Sequence, residues 1–151
     1  MEVRAFRKED TDNVKELILS ILTKEYPFDR SAFSDSDLYD LTSSYSGTKD
    51  HFFVAEDLGK IVGTVGIKED SKETALLRRL FVDSEYRRQG YGGMLIDEAL
   101  AFCREKGYSS VVFRTTNRMT GAIELCLKKG FRKAEELNLG GFQIFRFVKE
   151  I

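Results

Sequence analysis

The sequence predicts an α/β protein with a central sheet of mixed, mostly antiparallel strands flanked by helices. Short runs rich in β-branched and aromatic residues recur along the chain, which is typical of strands. Three other stretches repeat apolar residues at spacings of three and four, which is typical of amphipathic helices. The 151 residues are enough to bury a full hydrophobic core. We therefore expect one domain over residues 1–151, with about six to seven strands.

The first half of the chain is predicted to form one long helix and four strands. The helix begins near Asp10 or Thr11 and ends before Pro27, because apolar residues repeat at helical spacing between them. The last three strands are expected to lie side by side and antiparallel, since only short polar turns separate them. The predicted strands are 3–6, 52–56, 60–68 and 74–82, with a short helix at 35–41 and a loop at 42–49 between the first two.

The second half alternates helices and strands. One helix is expected to end at Gly107 and another at Gly130, because glycine is common just past a helix C-terminus. A turn at Gly140 and Gly141 separates the last two strands. The predicted strands are 110–115, 131–136 and 142–148, and the apolar positions of the two helices are Leu95, Ile96, Ala99, Leu100 and Cys103, then Met119, Ala122, Ile123, Cys126 and Leu127.

Composition and charge argue against several classes of function. The net charge is −1, no apolar run approaches the roughly 20 residues of a membrane span, and charges interrupt the N-terminus where a secretory signal would be apolar. Two cysteines without paired spacing and a single histidine, His51, cannot assemble a disulfide framework or a His/Cys zinc site. We therefore expect a cytoplasmic protein with no metal, no nucleic-acid partner and no membrane partner.

The most informative segment is a glycine-rich run between the strand that ends at Val82 and the next helix. Glycines let backbone N–H groups converge, and a helix N-terminus adds the positive end of a dipole, so this loop is predicted to bind phosphate oxygens. A dinucleotide fingerprint is excluded because Leu95 stands where its third glycine is required. A Walker A loop is excluded because the only Gly-Lys pair, Gly59-Lys60, lies in a hairpin. The run reads Arg87, Arg88, Gln89, Gly90, Tyr91, Gly92, Gly93.

This segment resembles the acetyl-CoA motif of the GNAT superfamily of N-acetyltransferases, which is written Arg/Gln-x-x-Gly-x-Gly/Ala after a strand. The preceding strand ends in Leu80-Phe81-Val82-Asp83, as in the family. A second similarity runs from Asn117 to Phe131, with a longer gap after the asparagine. The order of predicted elements also matches, so the resemblance covers nearly the whole chain. It implies a single-domain GNAT-like fold, of the α/β (α+β) class, and acetyl-CoA (coenzyme A) as co-substrate.

The resemblance also implies the cofactor contacts. Acyl-pantetheine would enter a gap between the strands at 74–82 and 110–115, and the pyrophosphate would lie on the amides of residues 88–93. Lys128 and Lys129 are candidate partners of the distal phosphate. The implied cofactor-binding residues are Leu80, Phe81, Val82, Arg87, Arg88, Gln89, Gly90, Tyr91, Gly92, Gly93 and Asn117.

The catalytic residues stay open. An alkyl amine with a pKa near 10.4 needs roughly 4 to 5 kcal/mol to become neutral at pH 7, whereas protonating the leaving thiolate is worth only about 2 kcal/mol. Many family members carry a tyrosine acid where this chain has Cys126 and a glutamate base where it has Leu76. Glu56, Glu69 and Glu73, which lie at or near strand ends, are candidate bases together with a water relay.

The acceptor is expected to be cationic. Residues 29–57 contain seven acids and two bases, and they fall where the family places its acceptor-binding elements. A primary amine of a cationic small molecule or peptide would suit this charge, and aromatic side chains can line such a site. The candidate lining residues are Phe28, Phe33, Tyr39 and Tyr45.

Two classes of function remain open. The first is acetyl transfer to an amine by direct attack in a ternary complex, without a covalent acyl-enzyme. The alternative is a non-catalytic acyl-CoA-binding sensor or regulatory module, because the family's tyrosine and glutamate are missing. A longer acyl group or a hydroxyl acceptor is a third reading. A homodimer is also expected to be possible, since apolar residues occupy both faces of the last strand, namely Phe142, Ile144, Phe145 and Phe147.

Overall fold

The computed structural model describes residues 2–29 and 35–151. The strands are β1 (Glu2–Ala5), β2 (His51–Asp57), β3 (Lys60–Glu69), β4 (Thr74–Val82), β5 (Ser110–Thr116), β6 (Arg132–Asn138) and β7 (Gln143–Glu150). The α-helices are α1 (Thr11–Glu25), α2 (Leu41–Ser44), α3 (Tyr91–Glu105) and α4 (Thr120–Lys128). The seven strands form one sheet in the order β1-β2-β3-β4-β5-β7-β6. Only β4 and β5 are parallel, and the other neighbouring pairs are antiparallel.

The predicted mixed, mostly antiparallel sheet is therefore confirmed. The helix after the first strand begins at Thr11 as expected, and β4 spans the predicted residues. Gly107 and Gly130 follow α3 and α4 with φ values of 83° and 91°, the left-handed conformation that commonly ends a helix. The extent of the domain over residues 1–151 stays a prediction.

The segment between α1 and β2 differs from the sequence prediction. Instead of one helix at 35–41 followed by a loop, a 3-10 helix at Ser36–Tyr39 is followed by the single turn of α2. The break occurs at Asp40, whose φ of −153° is not helical and whose carboxylate accepts a hydrogen bond from the Ser43 amide at 3.1 Å. An aspartate in this position caps a new helix, which explains why the serine-rich stretch starts in helix and not in a loop.

Two apolar clusters cover opposite faces of the sheet. Helices α3 and α4 pack on one face, where their side chains meet Leu77 and Phe113. Helices α1 and α2 pack on the other face, where they meet Val54. Because side chains alternate along a strand, the residues of β5 whose side chains lie on this second face are Val112, Arg114 and Thr116.

The sheet opens between β4 and β5. These two strands pair only from Thr74 to Leu77 and from Ser110 to Phe113, although both continue beyond that point. A β-bulge lies in β4 where the pairing stops: Gly66 of β3 opposes Arg78, and Thr64 opposes Phe81. The bulge residue Arg79 has a φ of 55°, and its carbonyl accepts a hydrogen bond from the Thr64 hydroxyl at 2.7 Å. Because a bulge bends its strand, it directs β4 away from β5.

Candidate active site

A cavity of about 90 Å³ lies in the opening between β4 and β5. Leu80 and Phe81 line it from β4, and Phe113 lines it from β5. Leu22 of α1 and Ala122 of α4 contribute further apolar surface. Two of the predicted contacts, Leu80 and Phe81, therefore lie at the opening. An apolar slot between two strand edges that do not pair with each other fits an extended acyl-pantetheine chain.

The glycine-rich loop follows β4 and leads into α3. Gly90 precedes the helix with a φ of 91°, and Arg88 has a φ of 63°. Left-handed residues alternating with others turn successive amides toward one side of the backbone. Among the described residues, the amides of 90–93 have no hydrogen-bond acceptor, and the first amide with one is that of Met94, at 3.1 Å from the Gly90 carbonyl. Free N–H groups at the positive end of a 15-residue helix fit a diphosphate.

The glycines of the loop serve different purposes. A Cβ at Gly92 would lie 2.7 Å from Leu125 Cδ2, so glycine there allows α3 and α4 to approach closely. A Cβ at Gly93 would lie 3.4 Å from Lys129 Cε, which is a tight contact. At Gly90 the space is open, with nothing within 4 Å, and the positive φ is what favours glycine.

Two predicted cofactor residues of the loop use their side chains for structure. Arg87 Nε donates to the Val82 carbonyl at 2.9 Å, and Arg87 Nη2 donates to Glu25 Oε2 at 2.8 Å. The ring of Tyr91 is buried against Tyr86, with their centroids 6.2 Å apart. Arg87 thus fixes the loop to the end of α1 and occupies the Val82 carbonyl. Arg87 and Tyr91 can therefore offer a ligand their backbone groups but not their side chains.

Asn117 lies just beyond the end of β5. Its amide donates to the Gln143 carbonyl at 3.0 Å, and its side-chain Oδ1 accepts from the Gln143 amide at 2.8 Å. These bonds continue the pairing of β5 with β7 past Thr116. The side-chain oxygen is therefore committed to the fold, and a contact of Asn117 with pantetheine stays a prediction.

The three glutamates considered as bases lie away from the cavity lining. Glu69 and Glu73 flank the start of β4, and roughly 20 Å of strand separates Glu73 from Leu80 at about 3.3 Å per residue. Glu56 lies near the C-terminal end of β2, and Arg4 Nε donates a hydrogen bond to its carboxylate at 2.9 Å. These positions do not favour any of the three as the base.

Cys126 is fully buried in the core between α4 and α3. Burial raises the pKa of its thiol to about 12. The thiol has no place in the cavity lining, so its position is that of a small core residue and not of a proton donor to the leaving group.

Much of the negative charge of the acidic segment 29–57 is paired within the chain, and a cationic acceptor stays a prediction. Four of its carboxylates pair with basic side chains of this same chain. The Asp29 carboxylate is fully buried and also accepts a hydrogen bond from the Thr116 hydroxyl. The pairs are Asp29–Arg118, Asp37–Arg79, Asp50–Lys68 and Glu56–Arg4.

The aromatic residues proposed to line the acceptor site are scattered. Tyr45 is buried, and its hydroxyl donates to Asp37 at 2.7 Å. Phe28 and Tyr39 are exposed, the first beneath the Arg118 guanidinium and the second beneath the Lys15 ammonium. Phe33 lies outside the described residues.

The sequence analysis missed four polar residues that line the cavity, namely Asp35, Arg78, Arg79 and Arg114. Alternation along β4 and β5 places Arg78 and Arg114 on the face opposite to Leu77 and Phe113. That signal is present in the sequence once the strand register is known. Asp35 carries no comparable signal, because an irregular segment brings it to the cavity.

Within residues 2–29 and 35–151, no group of three or more His, Cys, Asp or Glu side chains is arranged to hold a metal. None of the helices in that part of the chain has both the length and the apolar character needed to cross a bilayer. The expected lack of a metal and of a membrane partner stays a prediction.

Comparison with known proteins identifies the family. The protein-family model described as "Acetyltransferase (GNAT) family" matches residues 15–131 of this chain. N-acetyltransferase family 8 member 2 of Rattus norvegicus is 37% identical over 124 residues, which are 75% of this chain and 55% of that protein. N-acetyltransferase 8 of Homo sapiens is 38% identical over 104 residues, 65% of this chain and 46% of that protein. The chain spans about half the length of the curated relatives it matches.

Solved structures show the same fold. A GNAT-family acetyltransferase from Staphylococcus aureus Mu50 superimposes with a TM-score of 0.86 at 20% identity, covering 99% of this chain and 98% of that one. A ribosomal-protein-alanine N-acetyltransferase from Brucella melitensis gives 0.86 at 16% identity and covers 100% of both chains. The β4–β5 opening, the loop ahead of α3 and these matches agree with the motif resemblance: the chain belongs to the acetyltransferase (GNAT) family.

Proposed function

We propose that this protein is an N-acetyltransferase that moves the acetyl group of acetyl-CoA to a primary amine. The observation that carries the proposal is that β4, whose Leu80 and Phe81 line the apolar opening, runs along the chain into the loop of free amides at residues 90–93. In coenzyme A an extended chain separates the thioester from the diphosphate, and the opening and the loop would hold these two ends. The amine attacks directly in a ternary complex.

The residues of the chain would divide the work as follows. Acetyl-CoA supplies an activated thioester. The amides of 90–93 hold its diphosphate, and the edges of β4 and β5 hold its pantetheine arm. At the bulge, Arg79 and Leu80 together oppose only Val65 of β3, and a backbone N–H group of β4 beyond the bulge would stabilise charge that develops on the acyl oxygen.

Proton removal is assigned to Asp35. It is the one carboxylate among the described residues that line the cavity. A base or relay is needed there, since an amine with a pKa near 10.4 is almost fully protonated at pH 7. Because Cys126 lies outside the cavity lining, the leaving thiolate takes its proton from the amine or from water.

A second candidate is the non-catalytic acyl-CoA-binding module. The burial of Cys126 favours it, because the chain then offers no side-chain acid at the position of the family's tyrosine. The cytoplasmic location and the homodimer expected from the sequence also stay predictions.

The test is thiol release from acetyl-CoA across a broad panel of amines at several pH values. We expect turnover with at least one amine, and a rise in rate with pH as the amine deprotonates. Asp35→Asn is expected to lower kcat by about tenfold or more. Asp70→Asn, in the exposed turn between β3 and β4, is the matched control and is expected to leave kcat unchanged. Coenzyme A binding without any turnover supports the sensor, and absence of both refutes both functions.

A further inference from the structure

Three arginine side chains lie in a row across β4, β5 and β7. Arg114 and Arg146 are direct cross-strand partners, and the register that pairs Leu77 with Phe113 brings Arg78 level with Arg114. Arg78 opposes Gly66, and a Cβ at Gly66 would lie 2.7 Å from Tyr45 Cε1, on the face covered by α1 and α2. All three arginines therefore belong to that face of the sheet. We call Arg78, Arg114 and Arg146 the arginine row.

Such a row is unfavourable for the fold alone. Like charges that face each other directly across two strands destabilise a sheet. A bound anion would relieve this repulsion between the arginines, and the described part of the chain places few carboxylates next to the row.

Arg114 is exposed and makes no hydrogen bond or ion pair with any described residue. The residues outside the described ranges are Met1 and the sequence Arg-Ser-Ala-Phe-Ser at 30–34, which contains no acid. Among the residues that the structure describes, Arg114 therefore has no carboxylate partner.

The other two arginines of the row have weak partners. Arg78 Nη2 lies 3.8 Å from Asp37 Oδ1, an oxygen that already accepts a bond from Arg79 at 2.6 Å. Arg146 Nη1 lies 3.6 Å from Glu135, whose side chain is 69% exposed. With Arg79, this part of the sheet carries four guanidinium groups. The carboxylates beside them are Asp35, Asp37 and Glu135.

The row reaches the site of acetyl transfer. Arg78 and Arg114 line the same cavity as Leu80 and Asp35. Two residues of strand separate Arg78 from Leu80, which is roughly 7 Å at about 3.3 Å per residue. The loop at 90–93 leads into α3, and α3 packs on the face of the sheet opposite to the arginine row, so the row lies apart from the proposed diphosphate site.

We propose that the acceptor is an amine that carries a carboxylate close to its amino group, as an α-amino acid does, and that the arginine row binds this carboxylate. This inference rests on the proposed acetyl transfer and names its substrate class. A guanidinium binds a carboxylate through paired hydrogen bonds, and Arg78 and Arg114 line the cavity in which the amine would be acetylated. Asp35 lines the same cavity and would accept the proton of the amino group.

The transfer balances with these groups. The amine nitrogen forms a bond to the acetyl carbon, the carbon–sulfur bond breaks, and its electron pair leaves on the sulfur of coenzyme A, which ends as a thiol. A zwitterionic acceptor, having lost its ammonium charge, becomes an N-acetyl anion. The arginine row retains a carboxylate partner throughout.

The test compares three acceptors that differ only in the carboxylate: phenylalanine, phenylalaninamide and phenethylamine, with spermidine as a polycation. We expect kcat/KM for phenylalanine to exceed that of the amide and of the decarboxylated amine by about tenfold or more. Arg114→Gln and Arg146→Gln are each expected to remove most of this preference by raising KM for phenylalanine. Arg104→Gln, on the exposed side of α3, is the matched control and is expected to keep it.

The outcomes separate this inference from the proposed function. If amines are acetylated equally with and without the carboxylate, or if spermidine is the best acceptor, the substrate class is wrong and acetyl transfer stands. If no amine is acetylated, the proposed function itself fails. The dissociation constant of acetyl-CoA gives a further check: it is expected to stay unchanged in Arg114→Gln, and a large increase would assign the row to the cofactor and overturn the inference.

Discussion

Arg79 and Asp37 form a buried ion pair, with Arg79 Nη2 2.6 Å from Asp37 Oδ1 and Arg79 Nε 3.1 Å from Asp37 Oδ2. Their side chains are only 5% and 4% exposed, and the Tyr45 hydroxyl also donates to Asp37. Because Arg79 is the bulge residue of β4, the pair ties the 3-10 helix at Ser36–Tyr39 to the point where β4 leaves β5. The pair thus helps to fix the geometry of the cavity.

Removing one partner of this pair is expected to destabilise the fold strongly. Asp37→Ala removes the close carboxylate partner of a buried guanidinium, which costs about 3 to 5 kcal/mol. Urea denaturation at pH 7 measures this loss. Asp40→Ala, which removes only the cap of α2, is the control and is expected to cost about 1 kcal/mol. Equal losses in the two variants would contradict the role given to the pair.

The pair also makes stability depend on pH. Burial alone would raise the pKa of Asp37, but the hydrogen bonds from Arg79 and Tyr45 and the charges of Arg79 and Arg78 outweigh it and hold the pKa below its usual value. A depressed pKa in the folded state contributes stability that is present above the unfolded value, near 3.9, and is lost as pH falls through the folded value. The free energy of unfolding should therefore fall more steeply below about pH 4 in the wild type than in Asp37→Asn. Parallel profiles would show that Asp37 is not the group responsible.

The arginine row predicts opposite effects on stability and on activity. Arg114→Gln removes a like-charged cross-strand contact with Arg146, so the free energy of unfolding is expected to stay level or rise by up to about 1 kcal/mol. Turnover of a carboxylate-bearing acceptor is expected to fall in the same variant, as is common for residues kept for function. Arg132→Gln, from an exposed pair with Glu150, serves as a control for the loss of one surface charge. A clear loss of stability in Arg114→Gln would indicate a structural role instead.

Cys126 is predicted to be dispensable for chemistry. Both thiols, Cys103 and Cys126, are buried with pKa values raised to about 12 by burial, so neither should react quickly with a thiol reagent at pH 8 until the protein unfolds. Cys126→Ala is expected to keep kcat within about twofold while losing on the order of 1 kcal/mol of stability. A large fall in kcat with unchanged coenzyme A binding would identify the thiol as the acid after all.

Local signals in the sequence were enough for most of the fold and for the loop. The apolar faces of α1, α3 and α4 can be recognised from the spacing of residues within each helix. Gly90, Gly107 and Gly130 all have a positive φ, the conformation for which glycine is preferred. The break at Asp40 was missed because Ser43 donates to its side chain, and propensity alone does not distinguish such a cap from a position inside a helix.

The polar residues of the site were not predictable in the same way. Arg78 and Arg79 are adjacent in sequence and both line the cavity, and it is Arg79, at the bulge, that forms the close ion pair with Asp37. The partnership of Arg114 with Arg146 joins positions 32 residues apart through the register of β5 and β7. Charge counted along the chain therefore favoured the acidic segment 29–57, whereas pairing in three dimensions neutralises much of it and leaves an excess of arginine beside the cavity.

The central claim is that the loop ahead of α3 holds the diphosphate of coenzyme A through its amides, and calorimetry with coenzyme A tests it most directly. Gly90 and Gly59 have similar positive φ values, 91° and 81°, and open space around their Cα atoms, so alanine at either site carries a similar backbone strain of about 1 to 2 kcal/mol. Only Gly90 belongs to the loop. We predict measurable binding by the wild type, the same dissociation constant in Gly59→Ala, and an increase of about tenfold or more in Gly90→Ala. No binding by the wild type, or equal dissociation constants in the two variants, would contradict the claim.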